Sequence, residues 1–406
     1  MVADVRTDST APPVPKLRAA AGFVFFFLFG TLFAALGALL PALRGEFELS
    51  ASRGGGLVSV FQLGALASMV YCGLFARRVN GRRTMSLLVL VAAAAAAALA
   101  LAPSWPAVLA AAGFGGLGFG GLMLYLNTAF SAGFGRRGAL MLNLFNTVFM
   151  AGSIVGPLAV GATAGYERHV LLGVAVLVLL CWPACGLAPP AAVPSAGGQG
   201  PVHEPSRSSL PVVAVFTVAG LLYGAVETAV GTWETSHLVA IGFSAPVAAS
   251  LTALFWAGHA VGRLTVSFLR PRRSPAKLVM GCTLLAAGAL AGASSPLAAP
   301  YAYALAGVLL GPVFPTLLAW LATVTPATQS TRAVLMTGLM IGGAGAPALV
   351  GASVGGSSGA TVPLVLCLLA VAAAVAAMVA ARVAAVHGRL SAALAAELLM
   401  VPRTTG

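Results

Sequence analysis

The fold class of this 406-residue chain is decided by residues 210–237, which read LPVVAVFTVAGLLYGAVETAVGTWETSH. This run is almost entirely apolar, and about 20 such residues suffice for a helix to cross a hydrocarbon core of roughly 30 Å. Glu227 is the only carboxylate deep inside it, because Glu234 lies near the end of the apolar segment. An ionisable side chain at that depth is costly unless it faces protein or water. Glu227 is therefore the leading candidate for a substrate or proton pathway.

Apolar runs of similar length recur along the whole chain. With 59% apolar and only 8% charged residues, the composition excludes a soluble globular protein. Twelve membrane-spanning helices are predicted, at residues 20–43, 54–76, 84–102, 107–130, 138–163, 169–188, 211–235, 247–269, 277–295, 300–322, 333–355 and 361–383. The first run is too long for a signal peptide and ends without a small-residue cleavage site, so no cleavable leader is expected.

The net charge of +13 is distributed in a way that reflects membrane topology. With a cytoplasmic N-terminus, only Arg44, Arg53 and Arg168 of the 22 basic residues fall in outer loops. Cytoplasmic loops of membrane proteins are enriched in Lys and Arg, so both termini are predicted to be cytoplasmic. The basic charge therefore gives no reason to expect nucleic acid as a partner.

The chain is predicted to contain two similar six-helix halves. The matches that support a repeat are Gly30 with Gly224 and Ala112-Gly113 with Ala306-Gly307 at an offset of 194, and residues 156–162 with 346–352 at an offset of 190. The expected organisation is a cytoplasmic tail (1–19), an N-terminal half (20–188), a cytoplasmic linker (189–210), a C-terminal half (211–383), and a cytoplasmic helix and tail (384–406). The linker is rich in Pro, Gly and Ser without apolar periodicity, which is typical of a flexible connection.

Three motifs carry a resemblance to a known family. The connection between spans 2 and 3 contains Gly73 and Gly81 with the basic residues Arg77, Arg78, Arg82 and Arg83. Span 7 reads Tyr223-Gly-Ala-Val-Glu227 and continues to Trp233, and span 8 reads Phe255-Trp-Ala-Gly-His259-Ala-Val-Gly-Arg263. Together these motifs resemble the major facilitator superfamily, in particular its fucose–glucose–galactose permease branch and related sugar transporters. The resemblance covers most of the chain.

That resemblance implies an all-α membrane protein with twelve helices in two parallel six-helix pseudo-repeats. It also implies sugar transport by alternating access, with the substrate bound near mid-membrane between the halves. Two features depart from the family pattern. The acidic residue of the loop signature is replaced by Arg77, so the loop arginines are expected to fix topology and gating without the family's acid–base latch. The carboxylates that proton-coupled fucose permeases carry in the first and fourth helices are missing, and Met123 stands at the fourth-helix position. Glu227 is then the sole candidate for proton coupling.

The candidate substrate-binding residues are Tyr223, Glu227, Trp233, His259, Asn127, Asn143, Asn146 and Gln62. Glu227 is interpreted as an acceptor for substrate hydroxyls or a proton carrier, or else as a structural carboxylate bonded to a neighbour. His259 is either its water-linked partner or a donor to a backbone carbonyl. The asparagines bind substrate or join helices by hydrogen bonds. Trp233 is either a stacking platform for a sugar or part of the outer aromatic belt.

Two further side chains have interfacial interpretations. Arg263 is expected to snorkel to the cytoplasmic surface or to bond inner-gate carbonyls, because it lies near the inner end of span 8. Glu234, with His237 one turn later, is interpreted as interfacial at the outer end of span 7.

The leading hypothesis is a transporter of a small, polar, sugar-like solute. The alternative is proton-coupled efflux of amphipathic drugs or metabolites. It rests on the scarcity of polar residues in the spans and on residues 152–161, GSIVGPLAVG, which nearly match a drug-antiporter motif.

An enzyme is not expected, because paired catalytic motifs such as His-Glu-x-x-His are missing. All 5 cysteines lie in apolar spans, which gives no reason to expect disulfides, a metal site or a cofactor. The expected setting is a bacterial plasma membrane, in which the protein is a monomer whose partners are the bilayer, a small-molecule substrate and protons.

Overall fold

The computed structural model describes residues 16–75, 81–134, 138–183, 210–268, 274–325, 329–354 and 361–400. No β-strand occurs within these ranges, and the predicted all-α class is confirmed. The helices are α1 (Lys16–Glu46), α2 (Ala51–Gly54), α3 (Gly56–Leu74), α4 (Gly81–Leu101), α5 (Trp105–Gly133), α6 (Gly138–Ala162), α7 (His169–Cys181), α8 (Leu210–Ala240), α9 (Ala245–Phe268), α10 (Pro275–Gly292), α11 (Ala299–Leu310), α12 (Val313–Val324), α13 (Gln329–Val354) and α14 (Val362–Met400).

Each predicted span corresponds to a helix or to a pair of consecutive helices. In the described part of the chain, 11 segments are long and apolar enough to cross a membrane, and α7 is a shorter apolar helix. Helix α7 ends at Cys181 because Pro183, two residues later, has no N–H to continue the hydrogen-bond ladder. The tenth predicted span is divided into α11 and α12 at Gly311-Pro312 for the same reason.

The end of the chain differs from the sequence-based expectation. Residues 384–406 were expected to contain a separate surface helix, whereas α14 runs without a break from Val362 to Met400. No proline interrupts residues 384–400, so nothing in the sequence ends the last span where its apolar run becomes mixed. The additional helix is a continuation of the span.

The described helices group into two units. The first unit contains the described residues of 16–49, 56–183 and 244–253, and the second those of 50–55, 210–243 and 254–400. In the first unit, α1 packs on α6, and α5 packs on both α3 and α4. In the second unit, α8 packs on α13 and α14, and α10 packs on α11 and α14.

Glycines allow the closest helix crossings in each unit. In the first unit, a Cβ on Gly116 of α5 would collide with the carbonyl oxygen of Phe61 on α3. In the second, a Cβ on Gly307 of α11 would collide in the same way with Phe255 on α9. Small residues at such positions let backbones approach, which is the main source of helix association in membranes.

These crossings refine the internal repeat. Phe61 and Phe255 match at the predicted offset of 194, but their partners show that Gly307 occupies the place of Gly116. The sequence match had paired Gly307 with Gly113, three residues earlier. The offset is therefore 194 for the two phenylalanines and 191 for the glycines that contact them.

The repeat also exposes a chemical difference between the units. At the offset of 194, Glu227 corresponds to Phe33 and His259 corresponds to Ala65. Phe33 belongs to an aromatic cluster in which its ring centroid lies 6.5 Å from that of Phe119 and 6.3 Å from that of Phe149. The second unit therefore carries a largely buried glutamate and a buried histidine where the first carries a phenylalanine and an alanine.

Candidate functional site

A buried polar cluster joins α8 to α9 inside the second unit. The Nε2 atom of His259 lies 3.3 Å from Oε1 of Glu227. The same nitrogen lies 3.3 Å from an Nη atom of Arg263. The Tyr223 hydroxyl is close enough to interact with Glu227 and Arg263, although it does not reach hydrogen-bond geometry with a described residue. We call these four residues, Tyr223, Glu227, His259 and Arg263, the Glu227 cluster.

Helix periodicity explains how this cluster forms. Tyr223 and Glu227 are four residues apart on α8, and His259 and Arg263 are four apart on α9, so each pair occupies one helix face. Helix α9 is held against the next helices by Gly311, because a Cβ there would collide with the carbonyl oxygen of His259. Gly311 therefore helps to position the backbone of α9, which carries His259 and Arg263.

The cluster is buried unevenly, and this determines which group a ligand can reach. The His259 side chain is 0% exposed, whereas the Glu227 side chain retains 18% of its accessible surface. The imidazole also lies beside the rings of Phe255 and Trp256, with centroid separations of 6.0 and 6.2 Å. The carboxylate is thus the accessible acceptor, and the histidine and arginine support it from the protein side.

A positive charge stands beside the carboxylate in this cluster. The Arg263 guanidinium is permanently charged and acts on Glu227 at short range. A buried carboxylate is tolerated when a cation and hydrogen bonds compensate it. The arrangement can therefore present a negatively charged acceptor to hydroxyl or amine groups.

Comparison with protein families identifies the group to which this chain belongs. Residues 22–349 match the model of the Major Facilitator Superfamily. The chain is a member of this superfamily. A sequence comparison with curated proteins finds no match. Because the superfamily consists of transporters, the prediction that the chain is not an enzyme is confirmed.

Several solved major facilitator structures have a similar fold. A bacterial homologue of the human lysosomal transporter Spinster has a TM-score of 0.72 at 16% identity, covering 93% of this chain and 98% of that one. A D-xylose–proton symporter has a TM-score of 0.73 at 11% identity, covering 88% and 95%. The E. coli fucose:proton symporter, in a variant form, has a TM-score of 0.60 at 17% identity, covering 89% and 98%. At these identities the similarity shows the fold alone.

The structure bears on the interpretations of three side chains of this facilitator. Arg263 was expected to snorkel to the cytoplasmic surface or to bond inner-gate carbonyls. Its guanidinium lies beside His259 in the Glu227 cluster, and its gating role stays a prediction. Trp233 is 1% exposed and its indole N–H donates to the carbonyl of Pro347 at 3.0 Å, so it is neither an open stacking platform nor a lipid-facing belt residue. Glu234 was interpreted as interfacial, but its side chain is 0% exposed.

The remaining predicted substrate residues lie in the first unit. The Asn127 side-chain amide donates to the carbonyl of Met123 in its own helix at 2.8 Å. Asn146 is half-buried on α6, and Gln62 is 9% exposed on α3. Asn143 also belongs to α6, but its side chain lies outside the described part of the structure. Their roles in binding stay predictions.

The structure describes two of the four arginines in the predicted connection between spans 2 and 3. Arg82 and Arg83 are exposed in the first turn of α4, while Arg77 and Arg78 fall outside the described residues. Among the described residues, no group of three or more His, Cys, Asp or Glu side chains could hold a metal ion.

Sequence reasoning missed a second buried polar group. His237 and Tyr303, both at most 1% exposed, join Glu234 in the second unit. The available signal was the spacing of Glu234 and His237, which places an acid and a histidine on one face of an apolar helix. The predicted span ended at residue 235, whereas α8 continues to Ala240 and carries both side chains into the interior.

Proposed function

We propose that this major facilitator transports a small polyhydroxylated, sugar-like solute by alternating access, with Glu227 as its central hydrogen-bond acceptor. The observation that carries the proposal is the position of the Glu227 carboxylate, which is 18% exposed and supported at its rear by His259. Hydrogen bonds to an ionised acceptor are stronger than those between neutral groups, which suits recognition of hydroxyls.

The similar structures support this solute class. They include a D-xylose–proton symporter, a fucose:proton symporter and a nucleoside transporter, whose ligands all carry several hydroxyl groups. The nucleoside transporter has a TM-score of 0.72 at 15% identity, covering 90% of this chain and 99% of that one. The loop charges support cytoplasmic termini, and the proposal places the protein in the plasma membrane.

The contacts of Glu227 bear on its predicted role in proton coupling. Arg263 lies beside Glu227 and compensates its negative charge, which suits a role as an acceptor for solute hydroxyls. We therefore assign Glu227 to substrate recognition and not to proton carriage. Substrate hydroxyls would donate to its accessible oxygen while His259 and Arg263 hold the side chain in place.

The test is uptake by proteoliposomes of labelled D-xylose, L-fucose and uridine. Wild type, Glu227→Gln and Glu48→Gln are compared, because Glu48 is an exposed carboxylate outside the cluster and controls for the chemical change. Saturable uptake in wild type and Glu48→Gln, strongly reduced in Glu227→Gln, is expected. Lack of uptake of every probe, combined with gradient-driven export of a lipophilic cationic dye, would replace the proposal with efflux.

A further inference from the structure

A second ionisable group lies on α8, further along the helix than the Glu227 cluster. Glu234 and Tyr303 are 0% exposed and His237 is 1% exposed. The Tyr303 hydroxyl and Nδ1 of His237 are hydrogen-bonded at 3.1 Å. Both carboxyl oxygens of Glu234 and Nε2 of His237 have no hydrogen-bond partner among the described residues. Glu234 is thus fully buried and unsatisfied.

Such a group differs from Glu227 in the charges around it. No charged side chain in the described part of the chain interacts with Glu234, whereas Arg263 acts directly on Glu227. An ionised carboxylate without a cation or hydrogen bonds is among the most costly groups to bury. A protonated carboxyl avoids most of that cost, so the buried form of Glu234 is expected to be neutral.

Within the described part of the chain, no cation on the helices packed against α8 acts on Glu234. The titratable side chains of α9, His259 and Arg263, belong to the Glu227 cluster. From α11, Tyr303 faces Glu234 and interacts with it electrostatically. Helix α12 contains no titratable side chain. On α13, Arg332 lies about 20 Å along the helix from Pro347, whose carbonyl contacts the residue preceding Glu234. On α14, Cys367 is the titratable residue of the first half, and Arg382, His387, Arg389 and Glu397 lie in the second half.

We propose that Glu234 is a proton-binding site, separate from the Glu227 cluster, and that it carries the proton coupled to transport. The coupling half of this inference rests on the proposed transport function. Glu227 and Glu234 are seven residues apart on one face of α8, about 10 Å along the helix. One helix thus carries a carboxyl group with a cation beside it and a second carboxyl group with none.

The proton balance follows from burial alone. In the buried state Glu234 holds the proton as a carboxylic acid. When water reaches the side chain at neutral pH, a glutamic acid ionises and releases that proton to solvent. His237, one turn further along α8, can accept the proton at its unpartnered Nε2 in the tautomer whose Nδ1–H donates to Tyr303. No bond other than those to the proton changes.

Infrared spectroscopy of the purified full-length transporter tests the binding half without any solute. At neutral pH the wild type should show the C=O stretching band of a protonated carboxylic acid. Glu234→Gln should lose this band, while Glu227→Gln, the matched control on the same helix, should retain it. A band that is missing from wild type, or that persists in Glu234→Gln, overturns the proposal even if every transport assay succeeds.

Proteoliposome transport tests the coupling half. For whichever of labelled D-xylose, L-fucose or uridine is transported, Glu234→Gln should abolish gradient-driven accumulation and leave solute counterflow intact. Equal accumulation in wild type and variant would overturn coupling through Glu234. Loss of counterflow as well would assign Glu234 to solute binding and also contradict the proposal. The infrared result does not depend on which solute is transported. Failure of the proton-binding proposal can therefore be distinguished from failure of the proposed sugar transport.

Discussion

Glu227 and Arg263 approach the same imidazole nitrogen, Nε2 of His259, at 3.3 Å each. A ring nitrogen has one in-plane position, which holds either a hydrogen or a lone pair. It can donate to Glu227 or accept from Arg263, but it cannot do both at once. On the proposed function, a solute bound at Glu227 would change which of the two contacts is a hydrogen bond. The histidine would then link solute binding to the arginine without contacting the solute.

Arg263→Leu should destabilise the protein, because it leaves a largely buried Glu227 without its cation. Removing one partner of a buried pair costs about 3–5 kcal/mol, and the partial exposure of Glu227 lowers our expectation to about 2 kcal/mol. Thermal unfolding in detergent measures the change, with Arg263→Lys as the charge-retaining control. The double variant Arg263→Leu/Glu227→Gln should recover part of the loss. A double variant as unstable as Arg263→Leu would show that the arginine acts through other contacts.

Gly311→Ala should impair both stability and transport. An added Cβ would collide with the carbonyl oxygen of His259, so α9 must move and take His259 and Arg263 with it. Gly288→Ala is the matched control, since no heavy atom lies within 4 Å of its added Cβ and alanine favours a helix by about 1 kcal/mol. Melting temperature and solute uptake are measured for both variants. Equal behaviour of the two would contradict the proposed close crossing of α9.

The membrane fold could be predicted from the sequence, whereas the environment of individual polar residues could not. Runs of apolar residues determine how many helices form, because each must cover the same bilayer thickness. The contact of Arg263 with His259 was not predicted, because the arginine was interpreted from its distance to the helix end. Its four-residue spacing from His259 was the better indicator. Which neighbouring helix an arginine faces depends on packing between segments that are distant in the sequence. That packing could not be predicted from the pattern of residues in one helix.

The burial of Glu234 was missed for a different reason. The apolar run was taken to end near residue 235, since Glu234 and His237 reduce local hydrophobicity. Residues 238–240, Leu-Val-Ala, nevertheless continue the helix to Ala240. Polar residues within a membrane span usually indicate function. They also lower the local hydrophobicity, and a low value predicts the end of the span. The functional candidates are thus the residues that most reduce the accuracy of the predicted span boundaries.

Trp233→Phe should reduce stability and leave solute affinity unchanged. The variant removes the N–H that donates to Pro347 and leaves a buried carbonyl with one fewer partner, a loss of about 1–2 kcal/mol. Because Trp233 is 1% exposed, its ring offers no accessible face to a sugar. Thermal unfolding and the KM of uptake are measured together. A large rise in KM with unchanged melting temperature would restore the stacking hypothesis.

Arg168 provides a prediction in the first unit that is independent of transport. Its guanidinium contacts Oε1 of Glu46 at 2.7 Å and donates to the carbonyls of Leu99 and Ala102 at 2.9 and 2.8 Å. Leu99 lies in the last turn of α4, where carbonyls lack partners within the helix. Arg168→Ala should therefore cost about 1–3 kcal/mol, whereas Glu46→Gln should cost less than about 1 kcal/mol because Glu46 is 43% exposed.

Salt separates the two contributions of Arg168. The ion pair with the exposed Glu46 is screened at high ionic strength, but the hydrogen bonds to backbone carbonyls are not. Raising salt should bring the melting temperature of Glu46→Gln to that of wild type and leave the deficit of Arg168→Ala in place. Arg168→Lys should lie between the two, since an ammonium group cannot span three acceptors in a planar fork. A deficit of Arg168→Ala that disappears with salt would mean that the arginine acts only through its charge.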